Sequence, residues 1–214
     1  MNALEHYGNP DVARTYFQNV RVPGNCVPAE MGFNWLRQIY TSPPYKDKVL
    51  VDLGCGPGTS LKVLSELRFG SYYGIDGSQA MLDIAEMYLQ DTPCKLTRCD
   101  MSEVFTLKKV DSSVDVVSIC SVLNSIKNPF FALEESARVL KRNGYLLCNF
   151  VVNDTNTTIT FIEPDGMVSY THSSREVSDF FRKNKLHVVT MDQLPPMLIA
   201  KAVSTETLFL CVKQ

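Results

Sequence analysis

Three acids and three glycines are the residues of this chain best placed to do chemistry. Asp52 stands two positions ahead of a loop, "VDLGCGPGTS", in which Gly54, Gly56 and Gly58 alternate with other residues. Asp76 closes the run "YYGID" and Asp100 the run "TRCD". Glycines this close together after an apolar, β-branched run let a ligand approach the backbone, and three exceed what chain reversal alone needs. Spacing speaks against a phosphate ligand. Thr59 stands where the G-x-G-x-x-G dinucleotide fingerprint has its third glycine, and no Gly-Lys-Ser/Thr follows for a Walker loop. Charge speaks more strongly. A carboxylate about 5 Å from a pyrophosphate charge, at an effective dielectric near 20, is repelled by roughly 3 kcal/mol. Asp52 therefore predicts a cationic ligand, and a nicotinamide-dependent oxidoreductase is the disfavoured alternative.

The surrounding elements are those of an α/β sheet. Val49–Leu53, Tyr72–Asp76, Lys95–Asp100, Val114–Cys120 and "GYLLCNFVV" read as five strands. Between them lie helical patterns. One covers Thr59–Phe69; a second is capped by Ser78 and carries Met81, Ile84, Ala85 and Tyr88 on one side. A third opens at Asn128-Pro129 and stops at Asn143-Gly144. This β-α-β rhythm predicts a doubly wound, mostly parallel sheet with helices on both faces, and its ligand site at the carboxyl ends of the strands. The rhythm then changes. Thr157–Ile162 and Met167–Thr171 flank the turn Pro164-Asp165-Gly166, which predicts an extra β-hairpin. Ser173 and Glu176 form a capping-box pattern at the head of a helix. Strands at Leu186–Met191 and Glu206–Val212 close the chain. Residues 1–46 stand apart as a polar N-terminal segment ahead of the domain at 47–214.

The motifs taken together resemble the class I S-adenosylmethionine-dependent methyltransferases. "VDLGCGPGTS" looks like their glycine-rich first motif, "YYGIDGSQAMLDIA" their second, and "TRCDMSEVF" their third. "VDVVSICSVLNSIKNP" and "RVLKRNGYLLCNF" resemble the fourth and fifth strand regions, so the match covers residues 49–152. S-adenosyl-L-methionine has no phosphates and carries a sulfonium and an ammonium, which fits Asp52. The resemblance implies a seven-stranded sheet of order 3-2-1-4-5-7-6 with the last strand antiparallel. It places Asp52, Gly54, Cys55, Gly56 and Gly58 at the cofactor's methionine end. Asp76, with Gly77, takes the two ribose hydroxyls, for which an ionised carboxylate has acceptors. Asp100 and the Met101 N–H face the adenine, and Cys120 ends the fourth strand beside the cofactor. Met81 either packs on the adenine through its sulfur or is plain core.

Residues 1–46 are expected to cover the cofactor as a helical lid, bringing Tyr7 and Tyr16 towards the sulfonium, unless these rings only dock the lid on the core. His172, after the hairpin, is the candidate catalytic base. Asn124 stands where many similar enzymes carry a histidine. Ser42-Pro-Pro-Tyr45 matches a tetrapeptide of nucleic-acid amino-methyltransferases, but it precedes the first strand rather than ending the fourth and reads as a linker turn.

A net charge of −2 gives no footprint for DNA or an anionic membrane. Seven cysteines without a C-x-x-C argue against a zinc site or disulfide framework. With no signal-like N-terminus, the expected setting is cytoplasmic. The expected activity is methyl transfer to a small-molecule O, N or C nucleophile by a monomer or homodimer. The alternatives are a protein or RNA substrate, or an inactive binding or activator protein that keeps the fold.

Overall fold

The computed structural model describes residues 1–101, 111–194 and 205–214. Three helices lead the chain: α1 (Ala3–Tyr7), α2 (Pro10–Val20) and α3 (Val27–Ile39). Then β1 (Tyr45–Leu53), α4 (Thr59–Leu64), β2 (Phe69–Asp76), α5 (Gln79–Tyr88), β3 (Cys94–Arg98) and β4 (Val114–Ile119) follow in alternation. After α6 (Phe130–Val139) come β5 (Leu140–Asn153), β6 (Ile159–Ile162), β7 (Val168–Ser173), α7 (Ser174–Lys183), β8 (Leu186–Gln193) and β9 (Thr205–Lys213). None of the described helices is long and apolar enough to cross a membrane.

Strands β3, β2, β1, β4 and β5 lie side by side and parallel. β9 runs antiparallel along β5 from Tyr145 to Val152, and β8 runs antiparallel along β9. The main sheet is therefore β3-β2-β1-β4-β5-β9-β8, the order the sequence implied once the hairpin is set aside. That hairpin is β6 with β7, and β7 joins β5 only at Val152 and Asn153, beyond the end of β4.

Every residue of β4 is buried, as a central parallel strand requires. One face packs Val51, Val117, Leu146 and Phe150 against Leu133 of α6 and Val177 and Phe181 of α7. The other packs Leu50, Val116, Leu147 and Leu210 against Leu36 of α3, Leu61 of α4 and Ala85 of α5. α3 thus belongs to the core layer, while α1 and α2 lie over the carboxyl ends.

Two boundaries differ from the sequence reading. β1 begins at Tyr45 rather than Val49, because Tyr45 already pairs with Phe69 of β2 ahead of an irregularity in the register, and a Cβ on the neighbouring Gly70 would sit 1.9 Å from the Lys46 carbonyl oxygen. The helix expected to run to Arg142 ends at Val139, and Leu140 already pairs with Val114. The pairing resumes at Tyr145 with Val116, so Lys141–Gly144 is looped out, with Asn143 at φ 61°. Lys141 does not cap a helix. Its Nζ reaches the buried Asp115 carboxylate at 2.7 Å. At the outer edge, β8 carries a bulge at Val189, between the pairs Val188–Cys211 and Thr190–Leu210.

Candidate functional site

At the carboxyl end of β1 the chain turns through Gly54, Gly56 and Gly58, all with left-handed φ (70°, 51° and 85°). The Gly54 and Cys55 N–H groups both donate to the Ile75 carbonyl, at 2.7 and 3.0 Å, fastening the loop to β2. Gly56 is the residue the pocket needs. Its φ disfavours a side chain, and a Cβ there would meet nothing within 4 Å, so its backbone faces open space.

Asp76 holds this loop from the end of β2. Its Oδ2 accepts from the Gly56 N–H at 2.9 Å and its Oδ1 from the Ser78 N–H at 2.8 Å. Burial raises its carboxyl above the usual range, and the backbone donors of Ser78, Gly56 and Gly77 oppose that rise. Ser78 caps α5 through Met81 N and donates its hydroxyl to the Tyr7 carbonyl at 2.7 Å. One side chain thereby ties the pocket floor to its roof.

The pocket lies between this loop and α1. Gly54, Gly56, Asp76, Gly77, Met81, Asp100, Met101, Tyr7 and Tyr16 of the sequence-predicted set all line it. Tyr7 and Tyr16 meet edge to face with centroids 5.2 Å apart, and burial pushes the Tyr7 hydroxyl up to about 12, with Asp165 and Glu163 adding to the effect. The described lining contains two carboxylates and no Lys, Arg or His.

Five predicted residues lie elsewhere. Cys55 and Cys120 are buried thiols outside the lining, and burial raises both well above the usual thiol value. Gly58 packs on Leu89 and Ala85 behind the loop. Asp52 is 1% exposed, pointing to the α3 face beside Ser118, its register partner on β4. Burial pushes its carboxyl up to about 7 against the Ser118 hydrogen bond, and Oδ2 has no partner. His172 is fully buried and outside the lining. Pairing of β7 with β5 turns its ring inward, where Nε2–H donates to the Leu123 carbonyl at 2.9 Å and the ring meets Phe150 edge to face. Burial lowers its pKa, and the hydrogen bond to the Leu123 carbonyl opposes that fall. The expectation of a pocket base is corrected accordingly: His172 pins the turn after β4.

The sequence reading missed the wall formed by Ser121, Val122, Ser125 and Ile126, and the α1 residues Ala3 and Leu4 with their cap Asn2. A signal for α1 was present. Asn2 and Glu5 form a reciprocal capping box at the head of the polar N-terminal segment. α1 is also latched to the hairpin turn: Val168 N–H donates to the Met1 carbonyl at 3.0 Å, and His6 Nε2 lies 3.4 Å from Asp165. Ser42–Tyr45 enters β1 at the opposite end of the sheet from this pocket.

A pyrophosphate does not fit a lining with two carboxylates and no cation. A sulfonium nucleoside does: acids for its hydroxyls and amine, an aromatic roof, and a buried carboxylate oxygen without a partner behind the loop. A family model described as a methyltransferase domain matches residues 51–148. An uncharacterized methyltransferase of Schizosaccharomyces pombe is 33% identical over 109 residues, 48% of this chain and 39% of that protein. The chain spans about two fifths of the length of the curated relatives it matches. An S-adenosylmethionine-dependent methyltransferase of Clostridium acetobutylicum superposes with TM-score 0.68 at 13% identity, over 95% of this chain and 98% of the other. A chain from the Haloferax volcanii complex between the Trm112 methyltransferase activator and a methyltransferase gives 0.66 at 19% identity, over 99% and 98%. At those identities the likeness is one of fold, and it extends the methyltransferase domain's architecture through the N-terminal helices.

Proposed function

We propose that this chain is an S-adenosyl-L-methionine-dependent methyltransferase acting on a small molecule. The observation that carries the reading is a pocket at the carboxyl ends of a methyltransferase-type sheet, lined by Asp76 and Asp100 with no cation among its described residues, and with Asp52 Oδ2 unpartnered behind the loop. Bound S-adenosylmethionine supplies an electrophilic methyl group on a positively charged sulfur. Asp76, already fixed by Gly56 and Ser78, presents its remaining lone pairs to the ribose hydroxyls. Asp100 and the Met101 N–H take the adenine edge, and Met81 packs beside it. Asp52 holds the negative charge that favours the cation. Tyr7 and Tyr16 close the roof and exclude water.

With no histidine or lysine in the described lining, catalysis rests on orientation, which supplies about 7–11 kcal/mol when the reacting atoms are held about 3–3.5 Å apart. The roof formed by α1 and α2 over the pocket supports a lid role for the segment 1–46. The Haloferax match brings in a second reading, in which an activator protein completes the enzyme.

Calorimetry on the purified chain tests the cofactor. S-adenosylmethionine and S-adenosylhomocysteine should bind saturably, and NADH should give no heat. Tight NADH binding with silent S-adenosylmethionine would end this reading.

A further inference from the structure

Asp52 is one end of a row of polar side chains along the carboxyl edge of the sheet, and Glu206 is the other. Register places Asp52 of β1 beside Ser118 of β4, and Asn149 of β5 beside Leu208 of β9, with Glu206 one step further on the same face. A hydrogen-bond chain connects Glu206 to the pocket. Ser121, a lining residue held at φ 59°, donates its N–H to Asn149 Oδ1 at 2.7 Å, and Asn149 Nδ2 donates to Glu206 Oε1. Tyr16 in the roof lies within electrostatic reach of Asp76 on one side and Glu206 on the other. A hydrogen-bonded path thus joins the pocket wall at Ser121 to Glu206 on β9, which stands just outside the described lining.

Glu206 is half-buried, and among the described residues no Lys, Arg or His forms an ion pair with it. Burial raises its carboxyl, and only the Asn149 amide opposes this. A carboxylate drawn partly out of water with a single amide donor is undercompensated, and a cation is the partner that restores the balance. We propose that the edge of the Glu206 carboxylate not taken by Asn149 recognises a primary ammonium group on the methyl acceptor, so that the substrate class is a small cationic amine. Acceptors bearing phosphate or carboxylate meet Asp76 and Asp100 in the pocket and Glu206 beside it, with no Lys, Arg or His in the described lining.

The inference rests on the methyltransferase reading, and one experiment separates the two. Tyramine, tyrosol and 3-(4-hydroxyphenyl)propionate carry the same phenol on short tethers ending in ammonium, hydroxyl and carboxylate. Their binding is measured by calorimetry on the full chain loaded with S-adenosylhomocysteine. Tyramine should bind about tenfold tighter than the carboxylate or better, and Glu206→Gln should bring the two within about threefold. Glutamine keeps an oxygen for Asn149, so the variant should melt with the wild type and bind S-adenosylhomocysteine to within about twofold. Glu206→Asp, which keeps the charge, should retain the preference even if the glutamine variant is unstable. Undetectable tyramine binding, or a preference that survives Glu206→Gln, overturns the role of Glu206. Wild-type protein that fails to bind S-adenosylhomocysteine overturns the methyltransferase reading instead.

Discussion

The two ends of the central strands treat buried carboxylates in opposite ways. At the amino end, Asp115 is 4% exposed and fully served: Lys48 at 3.0 Å, Lys141 at 2.7 Å and the Val49 N–H at 3.0 Å. At the carboxyl end, Asp52 is more deeply buried yet has one serine hydroxyl and an oxygen facing no donor. The first arrangement joins β1, β4 and the loop into β5, so it belongs to the fold. The second costs stability and has a use only if a ligand completes it. Undercompensation at one end and full compensation at the other separates the binding end from the structural end without reference to any motif.

That contrast can be broken most forcefully at Asp115. Asp115→Ala leaves Lys48, Lys141 and the Val49 N–H without their acceptor and should cost about 3 kcal/mol of folding stability. Chemical denaturation measures this, and cofactor affinity should stay unchanged. Asp76→Ala comes next. Loss of a carboxylate that both holds the loop and accepts from the ligand should weaken S-adenosylmethionine binding by about tenfold or more, with a smaller loss of folding stability than Asp115→Ala as the Gly56 and Ser78 N–H groups lose their acceptor.

The Asp52 effect is smaller and depends on pH. The folded, ligand-free protein keeps a proton at Asp52 up to about pH 7, whereas the unfolded chain releases it near the usual 3.8. Stability should therefore fall as pH rises through that window and level off above about 7. Cofactor affinity should move the other way, gaining up to about tenfold per pH unit below 7 as the ionised form becomes available. Asp52→Asn should flatten both profiles and leave stability at pH 8 equal or higher. A variant that keeps the affinity slope would assign the proton to another group.

Much of the scaffold was legible because it is written in local pattern. β-branched runs, the Ser78 cap and the glycine loop each declare themselves within a few residues. Asp76, Asp100 and Met101 were legible because strand ends put them at the site. What failed was long-range. His172 reads as a pocket residue from its place after the hairpin, but pairing of β7 with β5 turns it inward to Leu123, and that pairing has no local signature. The end of α6 was misread because Lys141 and Arg142 followed by Asn143-Gly144 look the same whether they cap a helix or loop out of a strand. Glu206 carries no signal at all, being an acid in an alternating strand until β5 brings Asn149 against it.

The bulge at Val189 has a bearing on self-association. β8 exposes Val188, Val189 and Met191 along the outer rim, an arrangement that invites a second chain to add a strand. The extra residue kinks the rim out of the flat repeat that such docking requires. The opposite rim is the five-residue β3, where Lys95 and Arg98 are exposed. Both rims of the main sheet thus carry features that discourage ribbon-like stacking of one copy on another.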